Sequence, residues 1–241
     1  MRKVLIVSGC SFTTDDYKSM HHPEKDFPFD KWPKVLAKML NMDYINLGQS
    51  GAGNEFIHNT IIDQIETMDK SKIGLVIPAW SQCRRRDYQV HYNRAGKAVW
   101  RHEMHDLFGD TKYWIKRSFS TYYFFQIYCE YYKIPYRQVQ MIELFKDNDE
   151  VNNDYRYVEK NLKKLRVNKR EEYDKFATSL LYYKKLKNFI GETSGILSLQ
   201  DVLTDNRQNK EILKSFCISP EDWHPGEHGH YLIAKYIHEN I

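Results

Sequence analysis

The hydrophobic pattern opens on an uninterrupted apolar run, Val4-Leu5-Ile6-Val7, which stops at Ser8-Gly9-Cys10-Ser11. A short run rich in β-branched residues and ended by a turn predicts a strand buried on both faces, as in a parallel sheet. Standing first and wholly apolar, it is expected near the centre of that sheet. Residues 32–40 place Trp32, Leu36 and Met39 at helical spacing, with Pro33 near the start, where its missing N–H is harmless. Residues 43–47 predict a second strand, 48–53 a loop of small residues, 54–68 an amphipathic helix and 73–79 a third strand. Strands alternating with helices at this pace predict right-handed crossovers and a parallel sheet.

After Ser81 the regularity breaks. Residues 84–112 are polar and aromatic, begin with Arg84-Arg85-Arg86, and read as a long loop or insertion over one face. Residues 113–132 predict a helix dense in aromatics, and 134–142 a fourth strand. Residues 147–188 alternate charge and tyrosine at helical spacing, for example Tyr155, Val158, Leu162 and Leu165, then Phe176, Leu180 and Leu181. They are expected to form a helical insertion, a lid or a dimerisation arm. Residues 196–199 predict a short final strand and 230–241 a closing helix with Leu232, Ile233, Tyr236 and Ile237 on one face. The expected fold class is α/β: a three-layer α/β/α sandwich around a flavodoxin-like parallel sheet of about five strands. It is expected to form one domain over 1–241, with insertions at about 84–112 and 147–190.

Composition adjusts this picture at a few points. A chain of 241 residues is long enough for a full core. No run approaches the ~20 apolar residues of a membrane span. The four cysteines, Cys10, Cys83, Cys129 and Cys217, form no CxxC pair, so neither a zinc knuckle nor a disulfide framework is suggested and a reducing, cytoplasmic compartment is expected. The basic start and Val7-Ser8-Gly9-Cys10 resemble a lipid-anchor cleavage site, but the apolar stretch before Cys10 is shorter than the roughly 7–15 residues of a signal core. The anchor reading is therefore rejected. A net charge of +4 permits contact with an anionic polymer without arguing for it. Interleaved lysine and tyrosine over 155–188 could track single-stranded nucleic acid, yet Glu159, Glu171 and Glu172 balance the charge, and a solvated helical face is preferred. With 18 tyrosines, the middle of the chain is a candidate platform for stacking against sugar rings, or a surface for a second copy of the chain.

Ligand crevices of open parallel sheets form beyond the carboxyl ends of the strands. Three loops fall there: 9–16, 48–54 and 80–86. A fourth, Glu221-Asp222-Trp223-His224-Pro225, precedes the last helix. Taken singly each has a bland reading. Ser11 could be a helix N-cap, the glycines of 48–53 a simple turn, and His224 a packed loop histidine. Metal binding by His224, His228 and His230 is disfavoured because these positions do not share one helical face and no further ligand set has matching spacing. No cofactor or metal is expected. His21-His22-Pro23 reads as a solvent loop that could border a ligand.

Together, the blocks resemble those of the SGNH/GDSL hydrolase superfamily. Its first block, Gly-Asp-Ser after strand one, is matched by Gly9-Cys10-Ser11. The second, Asn-x-x-x-Ser-Gly, is matched by Asn46-Leu47-Gly48-Gln49-Ser50-Gly51, and the last, an acid shortly before His-Pro, by Glu221-Asp222-Trp223-His224-Pro225. Trp32-Pro33, Leu36-Ala37 and Gly229-His230 also look like one branch of these proteins, found in phage and bacterial genomes. Residues 87–195 lie outside the resemblance. Two departures stand out: Cys10 replaces the family aspartate, and the third block, Gly-x-Asn-Asp, is replaced by Ala79-Trp80-Ser81-Gln82.

The resemblance implies a serine esterase without cofactor. Ser11 is the nucleophile and His224 its base, oriented by Glu221 on the superfamily's usual spacing or by Asp222 on the Asp-x-His-Pro spacing, with Asp222 preferred. Oxyanion donors would come from the backbones of Ser11 and Gly51 and from Ser81 or Gln82 in place of the lost asparagine. Losing one such donor can cost about 10²–10³ in rate. Asn54, Trp80 and Arg84 are the expected substrate contacts. Family habit points to a small acyl ester, such as an O-acetyl group on a carbohydrate. The alternative reading is a catalytically weakened descendant of the fold that serves as a binding or structural module, motivated by the lost Asn-Asp pair.

Overall fold

The computed structural model describes residues 2–93, 98–104, 110–145, 169–191, 198–203 and 210–241. Its centre is a five-stranded, all-parallel sheet of β1 (Val4–Ser8), β2 (Asp43–Asn46), β3 (Ile73–Trp80), β6 (Gln138–Gln140) and β7 (Phe189–Ile190), in the order β2-β1-β3-β6-β7. The opening apolar run is flanked on both sides, Leu5 pairing with Tyr44 and Leu75, and Leu5, Ile6 and Val7 have no exposed surface. That is why the run carries no polar alternation.

Helix α1 (Trp32–Met39) packs against α8 (Glu227–Glu239), and α2 (Asn54–Glu66) packs against β1, β3 and α3 (Thr111–Tyr131). The helices flank the sheet to make an α/β/α fold. Each inward face follows the helical period: Trp32 and Leu36 in α1, then Ile57, Ile61 and Ile65 in α2, are fully buried. Helices α4 (Lys169–Ser179) and α5 (Leu181–Lys185) lie against α3; the short helices α6 (Leu199–Leu203) and α7 (Lys210–Phe216) precede the closing helix.

Several boundaries differ from expectation. Residues 84–112 hold an antiparallel hairpin, β4 (Arg85–Tyr92) and β5 (Ala98–Met104), in place of a loop. The fourth strand is shorter than 134–142: Tyr136 makes an isolated bridge to Val76, and only Gln138–Gln140 continue as a ladder. Among the described residues the last strand is Phe189–Ile190; of the expected strand at 196–199, residues 196 and 197 lie outside the described residues and Leu199 begins a helix. The closing helix starts at Glu227, three residues before the expected boundary, capped by Gly226. Tyr155, Val158, Leu162 and Leu165 lie outside the described residues. Among the described residues no helix is long and apolar enough to cross a membrane, and all four cysteines are buried.

Candidate active site

Strand β1 ends at Ser8, and the chain turns at once: the Cys10 carbonyl accepts from Thr13 N–H at 2.8 Å and Thr14 N–H at 3.1 Å. Cys10 is driven into the core with no exposed surface, and Ser11 is left at the mouth of the sheet. The loop after β2 is tied to this turn. Gln49 N–H donates to the Gly9 carbonyl at 2.9 Å, and the Asn46 side chain bridges Thr13 O at 2.7 Å and Gly48 N–H at 3.0 Å. Asn46 thus acts as a clamp between the two loops. Gly51 follows at φ +82°, in the left-handed region that a side chain would strain.

From the other end of the chain, the segment before α8 folds back on itself. Ile218 N–H donates to His224 O at 2.9 Å, Gly226 N–H to Phe216 O at 2.8 Å, and the Ser219 hydroxyl accepts from Asp222 N–H at 3.0 Å. This tight loop sends Asp222 inward, 1% exposed, and its neighbour Glu221 outward to solvent. The His224 ring stands between Ser11 and Asp222: Nε2 lies 2.8 Å from Ser11 Oγ and Nδ1 2.7 Å from Asp222 Oδ1. Three residues 213 positions apart in the chain, at the extremes, therefore form one line of hydrogen bonds. Glu221 takes no part in it.

Asp222 has more partners than the histidine ring. It accepts from His224 N–H at 3.1 Å, from the Tyr17 hydroxyl at 2.9 Å and from the Ser19 hydroxyl at short range. Burial opposes its ionisation, but donation from Ser19 and His224 prevails and holds the carboxyl down at about 2. It is an anion at any pH where the fold persists near neutrality. An ionised acceptor on Nδ1 leaves that nitrogen protonated and Nε2 with its lone pair facing the Ser11 O–H. Burial pushes the His224 imidazole below its ordinary pKa, while Asp222 pulls the other way. The ring is held neutral at pH 7 and free to take a proton.

Tyr17 and Ser19 went unread in the sequence. The Tyr17 ring stacks on His224 at 4.1 Å with its hydroxyl 2.8 Å from Nδ1, and Phe12 borders the same ring at 4.8 Å. Burial and the adjacent Asp222 raise the Tyr17 pKa, so the phenol stays a donor. The only sequence signal was proximity: both follow Ser11 by six to eight residues, within loop reach of it.

The cavity over Ser11 has a volume of about 500 Å³, the size of a small-molecule site. Gly51, Gln82 and Ser11 share its floor. No hydrogen bond engages the backbone N–H of Ser11 or Gly51, or the Gln82 side chain, among the described residues. Ser81 is elsewhere: it is fully buried, its N–H donates to Asn54 Oδ1 at 2.8 Å, and its carbonyl accepts from Asn54 at 3.2 Å and Gln140 at 3.0 Å. Of the two residues considered for a third donor, Gln82 reaches the cavity and Ser81 does not.

The expected substrate contacts move as well. Asn54 is buried and spent on Ser81, Ser118 and Tyr122. Trp80 is fully buried, stacked on Tyr122 at 4.3 Å with its indole N–H on Gln138. Arg84 donates to Thr111 Oγ1 at 2.7 Å, away from the cavity, whereas the next residue, Arg85, lines it. The strand begins at Arg85, and successive side chains of an extended chain point to opposite sides. Among the described residues, the aromatic side chains bordering the cavity are Phe12, Tyr17 and Trp223, and not the tyrosines of α3. His21 also lines it, while His22 bonds Ser219 at 2.9 Å. His230 faces away, accepting from Trp32 N–H at 3.2 Å, with burial driving its pKa down to about 3. His228 stacks on Tyr231.

The hairpin braces this floor from the side. Asp87 is buried, and its carboxylate accepts from Gly53 N–H and Phe56 N–H, both at 2.8 Å, and pairs with His102 Nδ1 at 2.6 Å. It caps the N-terminus of α2, whose own N-cap, Gly53, has no side chain to do so. A Cβ on Gly53 would meet Asp87 and Arg85 at 2.8 Å, so glycine is what lets the hairpin approach.

The fold these elements make is that of the SGNH/GDSL hydrolases. The chain is similar in structure to a protein from Desulfitobacterium hafniense DCB-2 assigned to the lipolytic G-D-S-L family, with a TM-score of 0.53 and 14% identity over 99% of both chains. Other solved structures are a protein from Slackia heliotrinireducens assigned to the SGNH hydrolases, with a TM-score of 0.44, 13% identity and coverage of 100% of this chain and 99% of that one, and one from Parabacteroides merdae assigned to the GDSL-like lipases, with 0.45, 12% and coverage of 99% and 95%. No protein-family model and no curated protein matches the chain.

Proposed function

We propose that this protein is a serine ester hydrolase of the SGNH/GDSL type, a single catalytic domain acting on a small acyl ester without cofactor. The observation that carries the reading is the unbroken line from Ser11 Oγ through His224 to a buried, ionised Asp222. Ser11 attacks the ester carbonyl as its proton passes to Nε2. The imidazolium so formed is stabilised by Asp222, then protonates the departing alkoxide. Water, deprotonated by the same nitrogen, cleaves the acyl-serine and restores the hydroxyl. The oxyanion of each tetrahedral intermediate would be met by the N–H groups of Ser11 and Gly51 and by the amide of Gln82, the neighbour of Ser81, which occupies the position of the family asparagine.

An O-acetylated carbohydrate is the preferred substrate class. Trp223, 44% exposed beside the cavity, offers an indole face for a sugar ring. The test is turnover of 4-nitrophenyl acetate by the wild type and by Ser11→Ala. The wild type is expected to hydrolyse it at least 10³-fold faster than the variant; equal rates would remove the esterase reading and leave the binding module.

A further inference from the structure

The charges around the cavity do not balance. Asp222 is consumed by His224, Tyr17 and Ser19. Among the described residues, what remains on the lining is Lys18 and Arg85 against one carboxylate, Glu221, which is exposed to solvent. Arg85 is the informative one. A guanidinium carries five N–H donors in a planar fork and keeps its charge at every accessible pH. The Arg85 side chain spends a donor of Nη1 on a neutral acceptor, the Ala52 carbonyl at 3.1 Å, and forms no ion pair among the described residues. Arg117, by contrast, is matched with Glu55.

Its position gives the unspent charge a purpose. Arg85 packs its Cβ and carbonyl against Gly53, donates from Nη1 to the carbonyl of Ala52, next to Gly51, and lines the same cavity as Ser11, Gly51 and Gln82. It also contributes, after burial, to holding down the His224 imidazolium. An anion seated on Arg85 therefore gains a charge-assisted, two-pronged contact and at the same time shields the imidazolium that forms during catalysis.

Resting on the esterase reading above, we infer that the substrate carries a carboxylate or another oxyanion close to its ester bond, and that Arg85 is the residue that selects it. A uronic-acid-like acceptor and an acyl group with its own carboxylate share this chemistry. Both place one negative group within a few bonds of the scissile carbonyl.

Two ester pairs separate these sources. Mono-4-nitrophenyl succinate against its methyl ester reads a charge on the acyl side. 4-Acetoxybenzoate against methyl 4-acetoxybenzoate reads one on the alcohol side. In at least one pair the wild type is expected to favour the anion by about 10–100-fold in kcat/KM, the range of a charge-assisted hydrogen bond. Arg85→Gln should bring that ratio to about 1, and Arg85→Lys should keep part of it, because the charge remains while the fork is lost. Ratios near 1 for both pairs in the wild type, or a ratio that survives Arg85→Gln, would overturn the inference. The same pairs titrated calorimetrically into Ser11→Ala read the anion site without turnover. Tighter binding of the anionic member that disappears in Ser11→Ala/Arg85→Gln supports the inference even if the esterase reading fails. Equal affinities overturn it even if that reading stands.

Discussion

Glu221 and Asp222 are neighbours, and spacing alone leaves either eligible to orient His224. Local geometry separates them: the Ser219 hydroxyl binds Asp222 N–H and turns its carboxylate inward, where His224, Tyr17 and Ser19 surround it. Asp222→Asn presents an amide that can hold Nδ1 in the wrong tautomer, and kcat/KM for an ester substrate is expected to fall by about 10³–10⁴. Glu221→Gln should cost far less. The pH profile carries the same logic. In the proposed mechanism only neutral His224 accepts the Ser11 proton, so activity is expected above its pKa and is expected to be lost as pH falls through it. Because burial lowers that pKa, the ascending limb of kcat/KM should lie below the usual imidazole range. Ser11, His224 and the acid were legible because each sits in a short motif. Tyr17 and Ser19 were not, since their roles arise from contacts with a residue more than 200 positions away.

At the scale of elements, the buried parallel strands and α1, α2 and α3 were readable because burial leaves an apolar run or a helical stripe. The hairpin of Arg85–Tyr92 and Ala98–Met104 was not. Its first strand has an inward position filled by Asp87, a charged residue that breaks the apolar alternation by which strands are recognised. What holds that strand is polar and tertiary: Asp87 on the N-terminus of α2, with Trp100 and His102 edge-on to Phe56 at 5.6 and 5.1 Å. Asp87→Ala strands two buried N–H groups and the His102 ring nitrogen. Stability should drop by about 1–3 kcal/mol, read as a lower urea midpoint with an unchanged slope. Because Asp87 anchors Gly53, two residues from Gly51, the proposed activity on esters is expected to fall too, per folded molecule. Unchanged stability would mean that the hairpin is not a brace.

Across the whole molecule, the parallel sheet gathers loops from distant segments to one rim. The turn after β1 supplies Ser11, the loop after β2 supplies Gly51, the end of β3 leads into Gln82, and the segment before α8 closes over them with His224. The general placement followed from the rule for open parallel sheets. The identity of the lining did not, because it depends on which of two adjacent residues faces the cavity, Gln82 over Ser81 and Arg85 over Arg84. The most direct test of the assembled site is covalent labelling of the intact protein by a fluorophosphonate, followed by mass spectrometry. The account predicts one adduct, on Ser11, abolished by Ser11→Ala and slowed by at least 10³-fold in His224→Ala. A wild type that remains unlabelled, or equal labelling of the Ser11→Ala variant, would contradict it.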